Sequence, residues 1–226
     1  MAGEHTTYVL VHGGGSSAWD WHLLVPELRA RGHDAVAMDL PIEDESAGLS
    51  EYADAVVAAV GDRTGLVVVG HSYGGFTAPL VCERLPVELL VLVAAMVPTP
   101  GEPPNDYWAN TEHGKAFRAQ TGHDGSDDAI FYHDVPPNLV AEAKRRERGQ
   151  VDTSGIEPWP LAAWPDVPTR FLLCRHDRMF PAGWLRGVVR ERLGIVPDEI
   201  DGGHYISISR PRELADRLER YRAEDR

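Results

Sequence analysis

The run Gly70-His71-Ser72-Tyr73-Gly74-Gly75 sets one hydroxyl between glycines two residues away on either side. It follows the apolar stretch 66–69 and precedes a helical pattern, so the serine falls at a strand-to-helix turn. Small residues at 70 and 74 avoid the neighbouring strands, and Gly75 lets the following helix lie close. A tight turn of this kind lifts the serine Oγ above the sheet. The Tyr73 N–H, at the helix start, then faces the atom that the hydroxyl attacks. The pattern is that of a nucleophile. A serine hydroxyl is a poor one until a base takes its proton and an acid orients that base.

Candidate partners lie downstream. "FLLCRHDRMFP" puts Asp177 just past the apolar run 169–175, and "EIDGGHYISISRP" puts His204 just past the next run, after two glycines that free the loop to turn inward. Both would then share the carboxyl edge of the sheet with Ser72, where open α/β folds bind ligands. Competing acids fit less well: Asp201 is too near His204 in sequence, Asp166 precedes its strand, and Asp39 is expected to tie down a loop. His12 and His71 are read as structural hydrogen-bonding residues, and His113, His123 and His133 as surface residues. No pair of histidines has helical or zinc-type spacing, so no metal is expected.

A second glycine cluster, "VLVHGGGSSAWDW", follows the first apolar run. As Gly13-x-Gly15-x-x-Ala18, with Asp39 ending the next run, it satisfies a dinucleotide fingerprint. It equally suits an oxyanion loop, in which backbone N–H groups after a His-Gly pair face a developing negative charge. Neither lysine, Lys115 or Lys144, lies four residues after a tyrosine as a short-chain dehydrogenase requires, and a nicotinamide site would leave the Ser72 motif without a role. The oxyanion reading is therefore preferred, with no cofactor expected.

These residues need a scaffold, and the chain supplies one. Apolar runs at 7–12, 34–39, 66–71, 89–95, 169–175 and 199–203 alternate with amphipathic stretches at about 17–31, 50–60, 74–85, 182–193 and 211–222. Such alternation predicts a doubly wound α/β domain around a mostly parallel sheet of about six strands. Residues 97–165 break the rhythm with nine prolines and several aromatics. They are read as a helical cap, with a helix expected at 138–148, inserted between core segments 1–96 and 166–226. Trp108, Phe131, Tyr132 and Trp159 are candidates for lining a substrate pocket beneath it. Trp19 and Trp21 are expected to pack a helix.

At 226 residues and 43% hydrophobic, the chain can bury one core, and its net charge of −13 argues against nucleic acid or anionic membrane surfaces as partners. A small-molecule substrate remains. No window approaches the ~20 apolar residues of a membrane span. With two cysteines in apolar surroundings and no leader pattern, a soluble cytoplasmic protein is the expectation.

With glycine loop, Ser72, Asp177 and His204 in this order, nearly the whole chain resembles the α/β-hydrolase superfamily. "YVLVHGGGSSAWDWHLLVPELRARGHDAVAMDLP" and "GGHYISISRPRELADRL" look like its methylesterase and hydroxynitrile-lyase branch and bacterial relatives. The resemblance implies a triad of Ser72, Asp177 and His204, oxyanion donors at the N–H groups of Gly14 and Tyr73, and a sheet starting at the family's third strand. The lyases carry threonine at the place of Gly13 and lysine at that of Tyr205, which removes a cation for cyanide. Hydrolysis of a small or medium carboxylic ester is the implied reaction, with thioester or amide close behind. The same scaffold also serves non-hydrolytic enzymes (lyases, cyclases, cofactor-free oxygenases) and ligand receptors that keep the triad.

Overall fold

A computed structural model describes residues 5–120 and 122–225 of the protein. Six strands, β1 (Thr7–Val11), β2 (Asp34–Ala37), β3 (Leu66–His71), β4 (Val87–Val93), β5 (Thr169–Cys174) and β6 (Asp198–Ile200), form one sheet in the order β2-β1-β3-β4-β5-β6. Every neighbouring pair is parallel. The central strands β1 and β3 are buried along their whole length, as their unbroken apolar runs require when helices cover both faces.

Before residues 97–165, the segment expected as a cap and called the cap, the helices are α1 (Leu24–Ala30), α2 (Leu49–Val60) and α3 (Gly74–Cys82), with a 3₁₀ turn at Ala18–Trp21. The cap segment holds α4 (Pro104–Asn110), α5 (His113–Arg118), α6 (Asp127–Phe131), α7 (Pro137–Lys144) and α8 (Thr153–Ile156). After β5 come α9 (Ala182–Leu193), α10 (Ile206–Ser209) and α11 (Pro211–Glu224). Helix α1 packs against α11, and α2 against α3. Right-handed crossovers give this division: the chain steps from β1 outward to β2, then returns past β1 to β3 and continues in the other direction. The reversal leaves a crevice at the carboxyl ends of β1 and β3, where the two glycine motifs lie.

The cap shares the main core. Tyr107 and Trp159 are fully buried in it, and the Trp159 Nε1–H donates to the Phe76 carbonyl at 2.9 Å. At the root of the cap, Arg192 of α9 grips Glu102 through both carboxylate oxygens at 2.6 and 3.0 Å and also donates to the Val97 carbonyl. A second, smaller cluster of Tyr132, Val135, Ala143 and Ile208 seats α6 and α7 over α10. The helix expected at 138–148 is shorter, because from Arg145 onward the chain leaves the helix and Arg148 reaches back to the Leu40 carbonyl and to Glu43.

Candidate active site

Strand β3 delivers its last residues into a turn where Ser72 has φ +52°, in the left-handed region that a residue with a side chain rarely adopts. The turn is held from two sides, since the Ser72 carbonyl accepts from Gly75 N–H at 3.0 Å and Met96 N–H at 2.9 Å. Strain of this kind costs on the order of 1–3 kcal/mol and survives only where the surroundings enforce it. Glycine is required around it. A Cβ on Gly74 would lie 2.8 Å from the Val11 carbonyl oxygen, and one on Gly75 would collide with that of Met96.

The side chains of Ser72, His204 and Asp177 meet at the carboxyl edge of the sheet. Ser72 Oγ lies 3.1 Å from His204 Nε2, and His204 Nδ1 lies 2.8 Å from Asp177 Oδ2. Asp177 is further held by the N–H groups of Met179 and Phe180, which donate to its Oδ1 at 2.8 and 2.9 Å. The carboxylate accepts from Nδ1–H, so Nε2 carries the lone pair and faces the serine hydroxyl. His204 and Asp177 are only 2% and 3% exposed, and the rings of Phe131 and Phe180 stand edge-on to the imidazole, so the His204–Asp177 bond is shielded while the Ser72 side of the imidazole borders the cavity.

The loop after β1 abuts the turn. A Cβ on Gly13 would sit 3.0 Å from that of Ser72, and one on Gly14 would sit 3.5 Å from that of Tyr73, so the two residues expected as oxyanion donors, Gly14 and Tyr73, lie against one another. The cap fixes this loop from outside: Gly15 N–H donates to Gln150 Oε1 at 3.0 Å, and the Gly15 carbonyl accepts from Arg148 N–H at 2.9 Å. Gln150 Nε2 and the hydroxyls of Tyr52 and Tyr73 converge in turn on Ser154 Oγ.

The flanking histidines are structural. His12 Nδ1–H donates to the Gly13 carbonyl and Nε2 accepts from Leu40 N–H, which uses both nitrogens of a neutral ring, and burial lowers its pKa to about 4. His71 Nε2–H donates to the His204 carbonyl at 2.9 Å, and burial lowers its pKa to about 3. Asp39 accepts from Ala18 N–H at 2.7 Å, tying down the loop after the glycines.

A cavity of about 230 Å³ opens above Ser72. Phe131, Tyr132 and Tyr205 form its aromatic wall, with Tyr132 stacked on Tyr205 at 4.8 Å, and Asp127, Glu147 and Arg148 line its rim. Of the aromatic residues expected there, Phe131 and Tyr132 border it. Trp108 and Trp159 do not. Trp159 is buried by its hydrogen bond to α3, and Trp108 packs against His113 and Phe180. Trp21 is buried in the core, and Trp19 stacks on His22.

One expectation for the cap histidines, that for His113, is corrected. His113 is buried and its Nε2–H donates to the Met179 carbonyl, while His133 Nε2–H donates to that of His176. Sequence reasoning also passed over the buried Asp20. The Ser16 hydroxyl donates to it, Tyr205 OH lies 3.2 Å from Ser16 Oγ, and burial pushes the Asp20 carboxyl up to about 7. The signal available was only a Ser-x-x-x-Asp spacing across one turn. Among the described residues, no group of three or more His, Cys, Asp or Glu stands where it could share a metal ion. Nor is any described helix long and apolar enough to cross a membrane.

Comparison with known proteins agrees with this fold. The sequence model of the alpha/beta hydrolase family matches residues 8–217. Esterase PIR7B of Oryza sativa subsp. japonica is 30% identical, over 93% of this chain and 93% of its own. Norfluorocurarine synthase 1 of a Strychnos species is 25% identical, over 92% of this chain and 91% of its own. The crystal structure of polyneuridine aldehyde esterase superposes with a TM-score of 0.80 at 22% identity, covering 96% of this chain and 99% of the other.

Proposed function

The chain belongs to the alpha/beta hydrolase family, and we propose that within it the protein is a carboxylic ester hydrolase that works through an acyl-enzyme on Ser72. The observation that carries this reading is the unbroken line of hydrogen bonds from Ser72 Oγ through His204 to Asp177. Esterase names among full-length relatives support the reaction class.

The reaction begins as Ser72 Oγ attacks the ester carbonyl and His204 Nε2 takes its proton. Asp177 holds the imidazole in the tautomer that can accept it, and steadies the cation that forms. The oxyanion accepts from the N–H groups of Gly14 and Tyr73, each typically worth ~3–4 kcal/mol in the transition state. His204 then protonates the departing alcohol. A water molecule, deprotonated by the same nitrogen, attacks the acyl-serine and releases the acid. The small aromatic-walled cavity fits an ester of small or medium size, its apolar part against Phe131, Tyr132 and Tyr205.

Mass labelling with a fluorophosphonate, run beside p-nitrophenyl esters of increasing acyl length, tests the reading. The expected result is one label per chain and turnover, both lost in Ser72→Ala, with turnover down by about 10⁴-fold or more. Activity of the variant within a few-fold of wild type would overturn it. A second reading has its own support, because a relative of nearly full coverage is named a synthase. Stoichiometric labelling of Ser72 with no turnover of any simple ester would favour that non-hydrolytic use of the same residues.

A further inference from the structure

Holding two loops in register is a separate task from doing chemistry, and the acid and base loops come from different strands, β5 and β6. Besides the Asp177–His204 bond itself, they are linked at the sheet edge by the His176 N–H donating to the Gly202 carbonyl at 3.0 Å, the Arg175 N–H to the Ile200 carbonyl at 2.9 Å and the Arg175 guanidinium to Asp201 at 2.7 Å. Two cap side chains add a further tie between the loops. We propose that the adjacent cap residues His133 and Asp134 are positioning residues, a clasp that closes the Asp177 loop onto the His204 loop and so sets the Asp177–His204–Ser72 line. The proposal rests on the hydrolase reading above.

The acid loop hangs from three cap side chains. His133 Nε2–H donates to the His176 carbonyl at 2.8 Å, Gln120 Nε2–H to that of Arg178 at 2.6 Å, and His113 Nε2–H to that of Met179 at 2.7 Å. The base loop is reached by the neighbour of His133: Asp134 Oδ2 accepts from Gly203 N–H at 2.7 Å. Two consecutive cap residues thus hold the peptide just before Asp177 and the peptide that precedes His204 by one residue. The fit is close. A Cβ on Gly203 would lie 2.5 Å from Asp134 Oδ1 and 2.7 Å from His133 Nε2, so the clasp requires glycine at that position.

The expected size of the effect follows from geometry. A misplacement of about 1 Å in a catalytic group can cost ~10²-fold in rate, and the 3.1 Å Ser72–His204 contact has little slack. Asp134 acts on Gly203 as an acceptor. Asn keeps an acceptor oxygen there, and Ala does not. The second carboxylate oxygen, Oδ1, is buried with no partner among the described residues, so removing the side chain also removes an unsatisfied group, which offsets part of the cost of leaving the buried Gly203 N–H without its acceptor.

The test compares Asp134→Ala and Asp134→Asn with wild type by kcat and KM on a p-nitrophenyl ester, by fluorophosphonate labelling rate, and by amide exchange at Gly203. In Asp134→Ala, kcat and labelling should fall about 10- to 100-fold with KM within about threefold, and the Gly203 amide should exchange faster. Asp134→Asn should stay within about threefold of wild type in all of these. Unchanged kcat in Asp134→Ala, or equal impairment in both variants, would overturn the clasp. Gly203 exchange unaltered by Asp134→Ala would also overturn it, whatever the activity. A wild type that neither labels nor turns over esters would instead remove the hydrolase reading, leaving the exchange result to decide whether the clasp exists.

Discussion

The imidazole of His71 donates its Nε2–H to the backbone carbonyl of His204 at 2.9 Å, so the residue before the proposed nucleophile holds the main chain of the proposed base. Burial keeps His71 neutral down to about pH 3, and the bond therefore persists across the working range of an ester hydrolase. His71→Phe preserves a ring but leaves the carbonyl of His204 unpaired in a buried place, a loss of about 1–3 kcal/mol. The expected outcome is a lower Tm and a reduced kcat. His71→Gln, whose Nε2 can reach the same oxygen, should recover most of both. Thermal melts and ester kinetics on the pair check this, and equal behaviour of the two variants would refute it.

Acid should unfold the protein through these same rings. His12 and His71 titrate near 6.5 when the chain is unfolded, but at about 4 and about 3 in the fold, where burial disfavours the cation. Above pH 6.5 both are neutral in either state and their stabilisation is fully present. As pH falls below 6.5 the unfolded chain takes up protons that the folded one does not. Each histidine then removes about 1.4 kcal/mol per pH unit until its folded pKa is reached. Urea unfolding at pH 7, 6 and 5 should show stability dropping at each step. A flat profile would contradict the assignment.

Asp20 pulls the other way. Its carboxyl is raised from 3.8 to about 7 by burial, so ionising it costs stability that is fully lost above pH 7 and regained as pH falls toward 4. Asp20→Asn can still accept from Ser16 and does not ionise. It should be more stable than wild type at pH 8, by at most on the order of 4 kcal/mol, and equal to it near pH 4. Its acid limb should consequently be steeper than that of wild type. Denaturant titrations of both proteins at pH 8 and pH 4 provide the check, and a difference independent of pH would contradict it.

How far the sequence reached depended on whether a signal was local. Strands β1, β3 and β4 are legible because burial on both faces leaves no room for polar letters, and the turn at Ser72 because a strained strand-to-helix turn needs glycine at 74 and 75. His204 and Asp177 could be placed since strand ends in a parallel sheet share one edge. The cap is different. Whether an aromatic ring lines a cavity or fills the core is decided by contacts far away in sequence, as the Trp159–Phe76 hydrogen bond shows. His113 looks like a surface residue for the same reason, since the carbonyl that holds it lies 66 residues away.

The cap root offers a stability prediction independent of catalysis. Arg192 and Glu102 are 9% and 3% exposed at their side chains, joined through both carboxylate oxygens, and the guanidinium also lies 5.1 Å from the Tyr107 ring centroid. Removing one partner of a buried pair leaves the other charge uncompensated, which typically costs about 3–5 kcal/mol. Arg192→Met should lose that much, because its stem still packs on Tyr107 while Glu102 is stranded. The double variant Arg192→Met with Glu102→Gln should be less destabilised than the sum of the two single changes. The Asn110 amide donates to Glu102 Oε1 and the Thr99 N–H to Oε2, so a glutamine oxygen there keeps one of these two donors. A double-mutant cycle by denaturant unfolding measures the coupling. Additive losses would mean that the ion pair contributes nothing beyond its packing.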